Sequence, residues 1–291
     1  MTPLVSTLCE GPLGVAHLPR FWWKNLLHQA GELDEAYPYC SGGLDTHVLG
    51  VLELDKEQTL RHLWEQKPNY LQFEAWIGEH GTVHRPSITR WNTSLGGRTH
   101  YIPAKIDETY DDIGFDKEEV VEVSSVLLNC LQDWQLFHRN CLTGDAIKGA
   151  VPPTLSSIDR GRLGMCQLPR TWLKTCLRAR GLLHDDYPDC ADGSLDQRGI
   201  NTLKLDQEKT LAFLRDNLPT YLEFEDWVAQ EGEVDTQAIQ AFNTRLLERE
   251  HRPEKIEDIH STLGREQTWT SGVLLNNLED WHYAHHVLTA S

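Results

Sequence analysis

Nowhere in the 291 residues do eighteen apolar residues run together, no two cysteines stand at C-x-x-C spacing, and only 27 Lys and Arg face 44 Asp and Glu. The first absence leaves no candidate membrane span, and MTPLVSTLCEGPLGV at the start has no basic stretch before an apolar core. Seven cysteines, at 9, 40, 130, 141, 166, 176 and 190, are odd in number and unpaired in spacing, which suits reduced thiols and a cytoplasmic location better than a disulfide or zinc framework. A net charge of -17 repels nucleic-acid phosphates and anionic lipid heads, so neither nucleic acid nor membrane is expected as a partner. No G-x-x-x-x-G-K-[ST], G-x-G-x-x-G, G-x-S-x-G or H-E-x-x-H occurs, which leaves nucleotide-loop, dinucleotide, serine-hydrolase and zincin chemistry without support. No cofactor is expected. What remains is ordinary globular composition, 40% hydrophobic and 24% charged, in a chain long enough for about two domains.

The chain reads as one unit written twice. Residues 11–45, GPLGVAHLPRFWWKNLLHQAGELDEAYPYCSGGLD, lie over 161–196, GRLGMCQLPRTWLKTCLRARGLLHDDYPDCADGSLD, with one inserted residue. The register continues from 54–77 to 205–228 and from 125–134 to 272–281. This spacing is domain-sized, so the expectation is a first domain over 1–145, a linker over 146–158, a second domain over 159–291, and a pseudo-two-fold relation between them.

Within each copy the apolar spacing is helical. Pro19 and Pro169 suit a helix start, Phe21, Trp22, Leu26 and Leu27 recur on one stripe, and Gly31 and Gly181 supply a stop. Asp55 followed by Gln58 marks a second helix, and Pro68 and Pro219 precede a third. Fourth and fifth helices follow near Asn92 and Lys105, and Asp116 with Glu119 is read as the cap of a long final helix. No period-two alternation persists between turn signals, so the fold class is all-α.

Both copies keep LPRxWxK, which sets Arg20 and Lys24, and likewise Arg170 and Lys174, on one helical face. A turn follows with Tyr37, Cys40 and Asp45, matched by Tyr187, Cys190 and Asp196. One reading is an anion-binding pocket, with Arg and Lys holding a carboxylate or phosphate while Tyr37, Asp45, Tyr187 or Asp196 moves the proton. The other, weighed ahead of it, is an Arg–Asp ion pair that pins a loop to a helix. Asn92 and Asn243, poor helix formers kept on a helix, suggest amides that hold backbone or a ligand. Trp22, Trp76 and Trp134 have tryptophan counterparts at 172, 227 and 281 and read as core, whereas Trp23, Trp64 and Trp269 have none and are candidates for lining a cleft.

Glu248 with His251, Glu257 with His260 and Glu279 with His282 show the helical Glu-x-x-His step of carboxylate-bridged di-metal bundles. The first copy has none of these at the aligned places, so no metal is expected.

The string LPRxWxK, Gly, Tyr, Leu-Asp, Leu-Asp-x-Glu, E-x-W-[IV] and [WF]-N-T, present twice, resembles a small bacterial family catalogued as a domain of unknown function, the 5069-like family. The resemblance covers about Gly11 or Gly161 to the Asn-Thr at 92 or 243, and it implies a compact helical domain and no particular reaction. The functional expectation is a small-molecule enzyme or ligand-binding protein for a small acidic substrate, working by acid–base chemistry. Its divergent positions are informative: His17 aligns with Gln167, Phe21 with Thr171 and His28 with Arg178. The alternatives are an acidic helical scaffold for another protein and a di-metal oxygenase-like enzyme. A small-molecule ligand is the expected partner, and a homo-oligomer is compatible with it.

Overall fold

A computed structural model describes residues 1–116, 122–264 and 268–290. These are all-helical: fourteen α-helices, one π-helical turn at His138–Leu142, three isolated bridges and no strand among the described residues. No helix is long and apolar enough to cross a membrane among them.

The first seven helices are α1 (Leu18–Gln29), α2 (Leu44–Val51), α3 (Lys56–Gln66), α4 (Tyr70–His80), α5 (Arg85–Gly96), α6 (Pro103–Ile113) and α7 (Ser125–Phe137). Seven more follow in the same order: α8 (Leu168–Ala179), α9 (Leu195–Thr202), α10 (Gln207–Asn217), α11 (Tyr221–Glu231), α12 (Thr236–Leu247), α13 (Pro253–Thr262) and α14 (Gly272–Thr289). Local chemistry sets their starts. The Asp55 carboxylate accepts the Gln58 amide at 2.8 Å to open α3, and Asp206 does the same for Lys209 in α10. Full capping boxes open α4 and α11, Asn69 with Gln72 and Thr220 with Glu223, one residue past the prolines that mark the place in the sequence. Helices α2 and α9 occupy ground that reads as turn, because each is only two turns long and too short for a periodic stripe. Of the expected Asp116–Glu119 cap, Glu119 lies outside the described residues; α7 itself begins at Ser125.

The compact units do not follow the sequence halves. One comprises Met1–Asn129 with Asn277–Ser291, the other Cys130–Asn276, where the sequence reading set its domains at 1–145 and 159–291. The cause lies in the long final helices. In the first unit, Trp281 of α14 meets Tyr70 of α4 edge-to-face at 4.7 Å, and His285 donates from Nε2 to the Lys67 carbonyl at 2.8 Å. In the second, Trp134 of α7 meets Tyr221 of α11 at 4.6 Å, and His138 donates to the Leu218 carbonyl at 2.8 Å. The carbonyls served are those of left-handed residues that end α3 and α10, where the helix has no N–H donor of its own left for its last carbonyls. Each unit's core therefore takes its last tryptophan from the other half of the sequence.

Part of the segment 146–158, read as a linker, is packed. Val151 exchanges backbone hydrogen bonds with Leu182 and His184, at 2.8 and 3.0 Å, and Leu155 and Ser156 are buried. In the first unit Met1 makes the same pairings with Glu32 and Asp34. Residues 151–160 are thus a packed segment aligned with 1–10, a correspondence visible in Pro3 and Pro153 and in Ser6 and Ser156.

Candidate functional site

In the first unit the loop before the first long helix is pinned from three sides. Glu74 of α4 accepts the Leu13 amide at 3.1 Å and the Tyr70 hydroxyl at 2.7 Å. Asn92 of α5 accepts the Ala16 amide at 3.1 Å and donates to the Gly14 carbonyl at 2.8 Å. The Trp91 indole donates to the Ala16 carbonyl at 2.9 Å. The second unit repeats the first two pins, with Glu225 on Leu163 at 3.1 Å and Asn243 on Cys166 and Gly164 at 2.9 and 2.8 Å. The retained Asn92 and Asn243 are accordingly backbone clamps.

No side chain fits at the head of this loop. A Cβ on Gly11 would lie 2.2 Å from Tyr70 Cε1 and 2.5 Å from Glu74 Oε1, and one on Gly161 would meet Tyr221 and Glu225 at 2.4 Å. Gly11→Ala is expected to cost about 1–3 kcal/mol through overpacking, read as a lower denaturant midpoint at unchanged slope. A midpoint within error of the parent would show that the loop yields freely.

Burial raises the Glu74 carboxyl to about 7, against the hydrogen bonds from Tyr70 and Leu13. A carboxyl that binds its proton more tightly folded than unfolded stabilises the fold fully at low pH and loses that contribution as pH rises through the folded value. Between about pH 4.5 and 7 this removes on the order of 3 kcal/mol. Glu74→Gln, which cannot ionise, is expected to gain on the parent steadily from pH 5 to pH 8 in urea unfolding, and parallel curves would refute the burial argument.

The loop delivers residue 17 in a left-handed conformation, φ 73°, with Gln167 matching at 70°. Such a backbone is costly for a residue with a side chain and persists only where the surroundings fix it. Here the fixing group is a buried carboxylate. His17 Nε2 lies 3.0 Å from Asp45 Oδ1, while Lys24 Nζ and the Ser41 amide reach Oδ2 at 2.6 and 2.7 Å. His17, Lys24 and Asp45 are 3%, 5% and 1% exposed. Burial alone would raise the Asp45 carboxyl, but the His17 hydrogen bond and the Lys24 ammonium outweigh it and hold it well below the usual carboxylate range. Burial lowers the His17 imidazole, outweighing the pull of Asp45. The ring is therefore neutral at pH 7, with its proton on Nε2 toward the carboxylate. Its Nδ1 is buried and has no hydrogen-bond partner among the described residues.

The second unit builds the same clamp without an imidazole. Asp196 accepts from Lys174 at 2.6 Å and from the Gln167 amide and Thr171 hydroxyl, each at 2.7 Å. Neither the amide nor the hydroxyl takes up a proton near neutral pH.

The other expected site residues divide differently from the sequence reading. Lysine, and not arginine, pairs with the aspartate. Arg20 Nη1 donates to the carbonyls of Pro3 and Val5, at 2.5 and 3.0 Å, and its guanidinium lies 5.8 Å from the centre of the Tyr37 ring. Arg170 does the same with Pro153, Leu155 and Tyr187. The two cations of the helix face thus bind different partners, and Tyr37 and Tyr187 sit against guanidinium groups. Trp23 is buried beside Trp22, whereas Trp64 and Trp269 are half-buried. Burial pushes the Cys40 and Cys190 thiols up, away from the thiolate form that reacts.

Glu248, His251, Glu257 and His260 belong to the second unit, and Glu279 and His282 to the first. No group of three His, Cys, Asp or Glu among the described residues stands close enough to hold a metal ion. His251 instead bonds Asn276 Oδ1 at 2.8 Å.

His17 was legible only as a divergence from Gln167. The signal that singles it out is its place directly before Leu-Pro at a helix start, where a left-handed residue must be held by something. No family model, no curated protein and no solved structure matches the chain.

Proposed function

We propose that the protein acts on, or binds, a small acidic molecule through acid–base chemistry centred on His17. The observation that carries this reading is a neutral, buried imidazole with one nitrogen fixed on Asp45 and the other unpartnered. A carboxylate that orients a histidine, fixes its tautomer and steadies its charged form is the arrangement general bases use. Lys24 beside it favours a carboxylate or phosphate as substrate. In the second copy Gln167 and Thr171 leave Asp196 with a structural task alone.

We also infer that the chain arose by tandem duplication. The matched loop pins, aspartate clamps and left-handed residues at aligned positions support it.

The substitution that tests the function is His17→Gln, because glutamine already occupies the aligned place and keeps the aspartate paired. The parent is expected to gain thermal stability with one or more members of a panel of small carboxylates and phosphates, and His17→Gln to keep its fold and lose that gain. Equal response in both proteins, or none in the parent, would overturn the reading.

A scaffold role has one observation in its favour. Tyr101 and Ile102 are 83% and 53% exposed beside Val123, where the second copy has only Arg252. Patches of this kind mark protein contacts. Tyr101→Ser with Ile102→Ser would release a partner recovered with the parent, and unchanged recovery would remove the support.

A further inference from the structure

At one corner of the first unit three aromatic rings from three segments meet. His28, in the last turn of α1, stacks on Tyr39 at 4.4 Å, and Trp64 of α3 stands edge-to-face to Tyr39 at 5.3 Å and 5.7 Å from His28. His28 and Tyr39 are exposed and Trp64 is half-buried. The aligned residues of the second unit are Arg178, Asp189 and Arg215. There Arg215 forms an ion pair with Asp189, and Arg178 donates to the Tyr187 carbonyl. The same corner is built once from cations and a carboxylate and once from π faces.

We propose that the His28–Tyr39–Trp64 corner is a binding site for an organic cation, an ammonium or guanidinium group carried by a small molecule. Three considerations select that class. Aromatic faces carry a negative quadrupole that attracts such cations, Trp most strongly. The corner lies at the C-terminal end of α1, whose carbonyls add partial negative charge. The first 145 residues hold 21 acidic against 11 basic residues, a balance that attracts cations to its surface. Where the second unit supplies guanidinium groups of its own, the first supplies the faces that a guanidinium or ammonium would cover.

This site is independent of the chemistry at His17 and survives His17→Gln. Choline is the probe, with 3,3-dimethylbutan-1-ol as its neutral isostere, and saturation-transfer NMR of the ligand methyl groups is the readout. Choline is expected to bind saturably and about tenfold more tightly than the isostere. Two variants should lose the signal while keeping their helical content: Trp64→Leu, and the triple His28→Arg, Tyr39→Asp, Trp64→Arg, which installs the second unit's own ionic corner. Equal binding of the isostere, no saturable binding of choline, or binding retained in the triple variant would each overturn the proposal.

Discussion

Asp45→Ala is expected to destabilise the protein by about 3–5 kcal/mol, because it strands the Lys24 ammonium in a site where lysine and aspartate are almost wholly buried. The same change removes the acceptor that holds His17 in its left-handed conformation. Replacing both charges, Asp45→Ala with Lys24→Met, is expected to recover a substantial part of the loss, since an apolar pair leaves no charge unsolvated. Urea unfolding of parent, single and double variants at pH 7 gives the comparison. A single variant within 1 kcal/mol of the parent, or a double variant worse than the single, would contradict the account of a buried, charged clamp.

Trp281→Ala is the second large effect, about 3–5 kcal/mol for the loss of a fully buried indole. Its location matters more than its size. Trp281 belongs to the second half of the sequence but packs on Tyr70 in the first unit, so hydrogen exchange is expected to quicken over α4 (Tyr70–His80) and to change little over α11 (Tyr221–Glu231). Trp134→Ala should give the opposite pattern. Exchange that quickens in α11 after Trp281→Ala would show that each copy keeps its own final helix.

The all-helical class was legible because helix signals recur throughout: Pro at a first turn, Asp55 and Asp206 as caps, and apolar residues at helical spacing. The exchange of final helices was not. Trp134 and Trp281 sit in nearly identical strings, LQDW and LEDW, and either would satisfy either core; sequence similarity carries no information about which partner is taken. The segment 146–158 reads as linker because Pro, Ser and Gly are turn formers, yet Val151 is held by Leu182 and His184 and Leu155 is buried.

The candidate site was half visible. Lys24, Asp45 and their counterparts were found because both copies keep them. Asn92 and Asn243 were found for the same reason, and they clamp backbone. Four-residue spacing places Arg20 and Lys24 on one face, but it does not say that Arg20 reaches the carbonyls of Pro3 and Val5 while Lys24 reaches Asp45. His17 was the harder case. Searching for what two copies share selects what both need to fold, and a group that only one copy uses falls outside that search.

The central claim is that His17 is a neutral proton acceptor with its free nitrogen at Nδ1. Long-range 1H–15N correlation of the imidazole ring, with His17→Gln to assign the signal, measures it directly. A protonated Nε2 and a bare Nδ1 are expected at pH 7, with the ring charging below the ordinary histidine value because burial disfavours the imidazolium. An imidazolium at pH 7, or a ring protonated on Nδ1, would contradict it.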